Sequence, residues 1–328
     1  MSTRAWTRRP NPCVRTRYRQ TPVDEFELIE RFFNRRVSSP GVLVGIGDDG
    51  AVLQPSAGHD QVQVIDTLVE GVHFPADSQA EDIAYRAVAV NLSDIAAMGA
   101  RPRWMTLALT MPPKNDEWLA AFASGLFEAA GEFDVALVGG DTTSGDAVVA
   151  TVHITGEVET GKALLRSGAK VGDTIFVTGT IGDAAAGLEM LGRGERDSFL
   201  VHRFLRPRAR IETGCQLIGL ANAAIDVSDG LVGDLKKLLD ASEVGAELDI
   251  DRVPVSDAIK ARFDESHRTR LALTGGDDYE LCFTARPDAV NGIAGLTAIG
   301  KVKREPGLTC RQNGVIVECD DSGYRHFQ

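Results

Sequence analysis

Ala224-Ile225-Asp226-Val227-Ser228-Asp229-Gly230-Leu231 reads as a short apolar strand that breaks into an acidic turn and then opens a helix. Leu231, Leu235, Leu238 and Leu239 form a core-facing stripe on that helix, and Gly245 is expected to end it. Working outward, residues 174–178 read as a strand and 182–191 as a helix, while Leu271-Ala272-Leu273 and 279–284 flank another acidic turn, Gly275-Gly276-Asp277-Asp278. The first half repeats the alternation. Residues 61–69 alternate polar and apolar, which puts Val62, Val64 and Asp66 on one face of a strand. Residues 81–98 have helical spacing with Gly99 as a stop, so Val90, Asp94 and Met98 share one side. Strands follow at 104–110, 135–138 and 148–154. A helix at 117–131 carries Trp118, Phe122, Leu126 and Ala130, and the strand at 135–138 runs into a turn at Gly139-Gly140-Asp141. Such alternation in both halves indicates an α/β or α+β fold with two mixed sheets packed with helices. The glycine- and charge-rich stretch 156–172 marks a joint, dividing a domain at 23–156 from one at 157–328.

With 328 residues the chain suits two domains. Its 43% hydrophobic and 25% charged residues are the balance of a globular protein. A net charge of −12 argues against nucleic-acid binding, although residues 1–22 hold Arg4, Arg8, Arg9, Arg15, Arg17 and Arg19 and no acid. That segment lacks an apolar stretch and reads as a disordered basic tail, with a transit peptide as the other reading. No run approaches the roughly 18 apolar residues of a membrane span. Five cysteines, none spaced C-x-x-C, argue against a zinc knuckle or a disulfide framework and suit a reducing cytoplasm.

Carboxylates recur where the backbone bends: Asp48-Asp49, Asp141, Asp226, Asp229 and Asp277-Asp278. They cannot hold a polyanion directly, since two unit charges about 4 Å apart repel by roughly 4 kcal/mol at an effective dielectric of about 20. Magnesium removes the conflict, being shared between one or two carboxylates and substrate phosphates. Gly45-Ile46-Gly47-Asp48-Asp49-Gly50 matches the dinucleotide pattern G-x-G-x-x-G. Its context contradicts that assignment, because Ala51-Val52-Leu53 reads as strand where a helix is required. A P-loop sequence is also absent.

Seven motifs together resemble the thiamine-monophosphate kinases. They are residues 45–49 (Gly-Ile-Gly-Asp-Asp), 66–74 (from Asp66 to Phe74), 91–99 (Asn91-Leu92-Ser93-Asp94 to Gly99), Gly139-Gly140-Asp141-Thr142, Arg166-Ser167-Gly168-Ala169, Asp226 to Leu231, and Gly275-Gly276-Asp277-Asp278-Tyr279-Glu280-Leu281. The resemblance runs from about Asp24 to Gln328 and implies a two-domain aminoimidazole ribonucleotide synthetase-like fold, ATP as co-substrate and several Mg²⁺ ions. It also implies a homodimer built on the N-terminal domains. By position, Asp49, Asp66, Asp94, Asp141, Asp226 and Asp229 are implied metal ligands, with Asp94, Asp141 and Asp229 central to catalysis. Gly140, Asp141, Arg166 and Ser228 are implied ATP contacts, and His73, Asp277 and Tyr324 line the implied thiamine-phosphate pocket. Val64-Ile65 stand where the family commonly has Ser-Thr, and Asp277 where many relatives have Glu.

The expected activity is metal-assisted phosphoryl transfer from ATP to thiamine phosphate, in a protein free of membrane and nucleic acid. Other readings remain open at this stage: a different ATP-dependent synthetase of the superfamily, a non-catalytic Ca/Mg-binding protein, or a tail-driven nucleic-acid binder. The bland alternatives are a solvated arginine for Arg166, a structural histidine for His73, a packing residue for Tyr324 and a partly exposed helix acid for Asp94.

Overall fold

The computed structural model describes residues 25–35, 39–318 and 323. The basic tail at 1–22 and Tyr324 lie outside the described residues.

A short helix α1 (Glu25–Leu28) continues as a π-helical turn and leads to the hairpin β1 (Val42–Val44) and β2 (Val52–Leu53). The strand after the Gly45–Gly50 loop confirms that this glycine pattern does not open a helix. Next come β3 (His59–Val69), α2 (Ala80–Ala97), β4 (Arg101–Met111), α3 (Asp116–Gly131), β5 (Ala136–Ser144) and β6 (Val149–Glu159). They build a four-stranded sheet of order β3-β6-β4-β5, in which α3 makes the crossover between the parallel strands β4 and β5. Period-two alternation puts Val62, Val64 and Leu68 on the inner face of β3, beneath α2, while Ile65 on the outer face is 64% exposed. Asn115 caps α3, its side chain accepting from Trp118 N at 2.9 Å, and Phe122 and Leu126 are fully buried.

The second half contains β7 (Thr174–Thr178), α4 (Asp183–Gly192), α5 (Phe199–Leu205), α6 (Ile211–Gln216), β8 (Ala221–Val227) and α7 (Leu231–Ala241). It continues with β9 (Gly245–Asp249), α8 (Asp257–Arg262), α9 (Glu265–Thr274), β10 (Glu280–Ala285), β11 (Leu296–Lys303), β12 (Gly307–Gln312) and β13 (Val315–Val317). Its seven-stranded sheet has the order β13-β12-β9-β11-β7-β10-β8. One face receives the leucine stripe of α7. The other presents Phe176, Ala224, Leu281 and Phe283 to the core that contains α2. Helix α2 is therefore packed between the two sheets and buried nearly all round, as an apolar helix in a protein core must be.

Two sequence expectations need correction. Gly139-Gly140-Asp141 is not a turn but lies inside β5, where a Cβ on Gly140 would stand 2.0 Å from the Leu107 carbonyl oxygen of β4. Glycine there permits close strand approach rather than a bend. Gly245 does not end α7, which stops at Ala241; it opens β9. Cys310 is disulfide-bonded, whereas Cys215 and Cys282 are free. The spacing argument spoke against a framework of bridges and had no bearing on a single one.

Candidate active site

A cleft of about 1000 Å³ lies between the two halves, walled by the end of β3, one side of α2, the β8–α7 turn and the α9–β10 turn. Residues Asp66, His73, Asp94, Arg166, Asp226, Ser228, Asp229 and Asp277 all line it. Each arrives there for a local reason. Asp66 sits on the inner face of β3, and Asp94 follows Val90 by one turn on α2. Asp226, 4% exposed near the end of β8, accepts a hydrogen bond from Ser93 Oγ of α2 at 2.8 Å. Beyond it the turn is pinned by Asp234, whose Oδ2 accepts the backbone N–H of both Ser228 and Asp229 at 2.9 Å. Lys237 then joins Asp234 Oδ1 at 2.8 Å and Asp229 Oδ2 at 2.6 Å. The two acidic turns are bonded to each other, Asp277 N donating to Ser228 O at 2.8 Å. A Cβ on Gly276 would lie 2.5 Å from that same Ser228 oxygen, so glycine is what lets the turns meet.

The electrostatics are those of a crowded anionic site. Burial, and then the neighbouring Asp226, push the Asp66 carboxyl up to about 6. Burial, and then Asp66, push Asp94 to about 7; burial, and then Asp94, push Asp226 to about 8. Arg166 partly offsets this at Asp94 and Asp226. Hard oxygen donors that repel one another at one end of a cleft fit divalent cations, which exchange for the protons the carboxyls otherwise hold. No three of these donors form a closed metal cage among the described residues. His73 accepts from Val69 N through Nδ1 at 3.0 Å, which places its ring proton on Nε2.

The structure does not bring Asp49, Gly140 and Asp141 to this cleft within one chain. Asp49, Gly140 and Asp141 line a separate cavity of about 600 Å³ with Phe26 and Phe33. Strand register explains the division. Asp66, Val152, Leu107 and Gly140 lie on one row across the sheet, facing α2, whereas Thr67, Thr151, Ala108 and Asp141 form the next row and face the other way. Three strand spacings separate Asp66 from Asp141, about 14 Å, and their side chains leave opposite faces.

Arg86, Asp234 and Lys237 escaped the sequence reading, and Asp278, legible there as part of an acidic turn, was given no role. Arg86 precedes Val90 and Asp94 at the same four-residue spacing on α2 and lines the cleft, so helical periodicity carried its signal. Asp234, buried, and Lys237, exposed, stand three residues apart on α7. Asp278 is fully buried, its two oxygens accepting Gly182 N at 2.6 Å and Ala184 N at 3.2 Å at the start of α4. Burial raises its carboxyl to about 8 against the pull of these donors and Arg203.

Residues 47–158 match the N-terminal domain of AIR synthase related proteins and residues 170–311 the C-terminal domain. The thiamine-monophosphate kinase of Salmonella typhimurium strain LT2 is 46% identical over 319 residues, covering 92% of this chain and 98% of that protein. The chain belongs to the thiamine-monophosphate kinase family. Among solved structures of thiamine-monophosphate kinases, that from Stenotrophomonas maltophilia K279a is 42% identical, with a TM-score of 0.81 over 89% of this chain and 97% of the other. A further structure, described as "AaThiL complexed with AMPPCP and TMP", is 32% identical with a TM-score of 0.76, covering 92% and 97% of the two chains. Thiamine-monophosphate kinase likeness thus spans both halves and the cleft between them.

Proposed function

We propose that this protein transfers the γ-phosphoryl group of ATP to the phosphate of thiamine phosphate, giving thiamine diphosphate and ADP. The observation that carries the proposal is the cleft itself: five aspartates, two arginines and a histidine converge in a space of about 1000 Å³ between the domains. A relative solved with AMPPCP and TMP supports the same reading. Asp66, Asp94, Asp226 and Asp229 would hold magnesium, which when bound neutralises the phosphates and the carboxylates together. Arg166 offers a planar fork to ATP phosphate, and Ser228 a donor at the N-terminal end of α7. His73, its Nε2–H directed by the bond to Val69, donates to the acceptor phosphate, while Asp277 bounds the ring end of the pocket; Tyr324 is assigned to that end by the family resemblance alone. The attacking oxygen is already anionic near neutral pH. No strong general base is then needed, and positioning with charge stabilisation is the main work of the protein.

Asp49, Gly140 and Asp141 enter this scheme through a second copy of the chain. The outer face of the four-stranded sheet carries exposed Ile65, Thr67 and Asp141, and β3 and β5 are its two open edges. A homodimer joined through these N-terminal sheets would set the Asp141 side of one copy beside the Asp66 side of the other. The division between domains is placed near residue 157, and the working compartment is the cytoplasm. Two experiments test the reading. Purified protein should form thiamine diphosphate only with ATP and a divalent cation, with free thiamine a poor acceptor; turnover in excess EDTA contradicts it. Mixing Asp66→Asn and Asp141→Asn chains should restore about a quarter of wild-type activity if sites are shared across the dimer. A dead mixture would place each site within one chain.

A further inference from the structure

Arg86 is a cation in the wall of the cleft with no place in the reaction scheme above. It lies on α2, is 2% exposed, and touches the second domain at two points. One terminal nitrogen donates to the Phe204 carbonyl at the end of α5, and the other to Asp277 Oδ1 in the α9–β10 turn. Its guanidinium carbon also lies 4.3 Å from the Phe204 ring centroid and 5.7 Å from that of Tyr279. Tyr279 in turn donates its hydroxyl to the same Asp277 oxygen at 3.1 Å. Both donors therefore converge on Oδ1 of a side chain that lines the cleft, and Oδ2 has no protein donor among the described residues.

The turn so gripped is held in an uncommon conformation. Asp277 and Tyr279 have φ of 71° and 53°, in the left-handed region that residues with side chains seldom occupy. On the far side Asp278 ties the turn to the start of α4. Arg86 supplies the tie from the N-terminal half. Its Nε has no partner among the described residues, an arrangement that stability alone would not favour, since buried ion pairs add little net stability even when complete. The location points to positioning. Arg86 lies two helical turns from Asp94 along α2, about 12 Å, so one rigid helix spans the acidic end of the cleft and the Asp277 end.

We infer that Arg86 is a positioning residue for the acceptor: it acts through Asp277, clasping the α9–β10 turn to α2 so that the second Asp277 oxygen faces the ring end of thiamine phosphate. This rests on the kinase reading and adds a residue to it. A carboxylate held in this way complements the cationic thiazolium ring of the acceptor and has no part in holding ATP. The forked guanidinium is required because two acceptors in different directions are bonded at once, which one ammonium group cannot reproduce.

The test uses Arg86→Gln, Arg86→Lys, Asp277→Asn and the double variant Arg86→Gln/Asp277→Asn in the full-length protein. Arg86→Gln should raise the KM for thiamine phosphate about tenfold and leave that for ATP within about twofold. Arg86→Lys, which keeps the buried charge and guards against a folding failure of the glutamine variant, should show the same split. The double variant should be no worse than Asp277→Asn alone, because both changes interrupt one interaction. Hydrogen exchange supplies a readout independent of substrate: the Asp277 and Tyr279 amides, bonded to Ser228 O and Val227 O, should exchange at least about tenfold faster in Arg86→Lys. Equal loss for both substrates, additive effects in the double variant, wild-type behaviour of Arg86→Lys or unchanged exchange would each overturn the inference. If the wild type forms no thiamine diphosphate while exchange responds, the kinase reading falls and the clasp stands.

Discussion

Replacing Asp94 by asparagine should make the metal-free protein more stable at pH 8 while removing its activity. Folding carries the Asp94 carboxyl from an ordinary value of 3.8 to about 7, through burial and the adjacent Asp66. A carboxyl raised in the folded state holds its proton there more tightly than in the unfolded chain. Stability is therefore fully present below about pH 4 and is lost as the pH rises through about 7. A shift of about three units sets a ceiling of about 4 kcal/mol at pH 8. Asp66 and Asp94 share one repulsion, so the gain on removing a single charge is placed at about 1–2 kcal/mol, or about 2–6 °C in Tm for a chain of this size. At pH 5 the folded wild-type Asp94 is protonated but its unfolded counterpart is ionised, so the gap between the two proteins should shrink to under half of its pH 8 value. Turnover at saturating substrates should nevertheless fall at least about 100-fold, a loss of about 3 kcal/mol at the transition state. Melting curves in EDTA at pH 5 and pH 8, with initial rates in magnesium, measure both effects. An Asp94→Asn protein that is equally destabilised at both pH values, or that keeps near-native turnover, would refute a shared anionic site.

Asp141→Asn and Asp229→Asn should each lower turnover about 100-fold or more with unchanged circular dichroism; near-native rates in both would remove them from the reaction. Gly140→Ala should destabilise by at least about 2 kcal/mol, because its methyl group would meet the Leu107 carbonyl at 2.0 Å, and an unchanged melting temperature would contradict the packing of β5 on β4. Magnesium affinity should weaken at least about tenfold from pH 8 to pH 6 as Asp94 and Asp226 take up protons, and calorimetry showing pH-independent binding would exclude these carboxyls as ligands. Tyr324→Ala should raise the KM for thiamine phosphate about three- to tenfold and leave that for ATP nearly unchanged; equal changes would mark it as a packing residue.

The parts of the site that were legible in the sequence are those fixed by local periodicity. Alternation along β3 turns Asp66 inward with Val62 and Val64, and helical spacing stacks Asp94 on Val90, so both aspartates could be assigned to an interior face before any sheet was known. The division of the acids was not legible. It depends on the strand order β3-β6-β4-β5 and on Asp66 and Asp141 occupying adjacent rows of opposite facing, which are properties of pairing between distant segments. Glycine misled for a related reason: at Gly140 it accommodates a neighbouring strand, and composition cannot distinguish that use from a turn. Arg86 was passed over because α2 is covered by both sheets. Periodicity of a single stripe anticipates one buried face, and gives no hint that a charged residue will be enclosed with its counter-ion on another domain.

The most direct measurement of the central claim is ³¹P NMR of the purified protein with ATP, Mg²⁺ and thiamine phosphate. The account predicts that the thiamine phosphate resonance is replaced by the two resonances of thiamine diphosphate, one equivalent appearing for each ADP formed, with no change when EDTA is in excess or free thiamine is the acceptor. ADP with inorganic phosphate and intact thiamine phosphate, or no consumption of ATP, would contradict it.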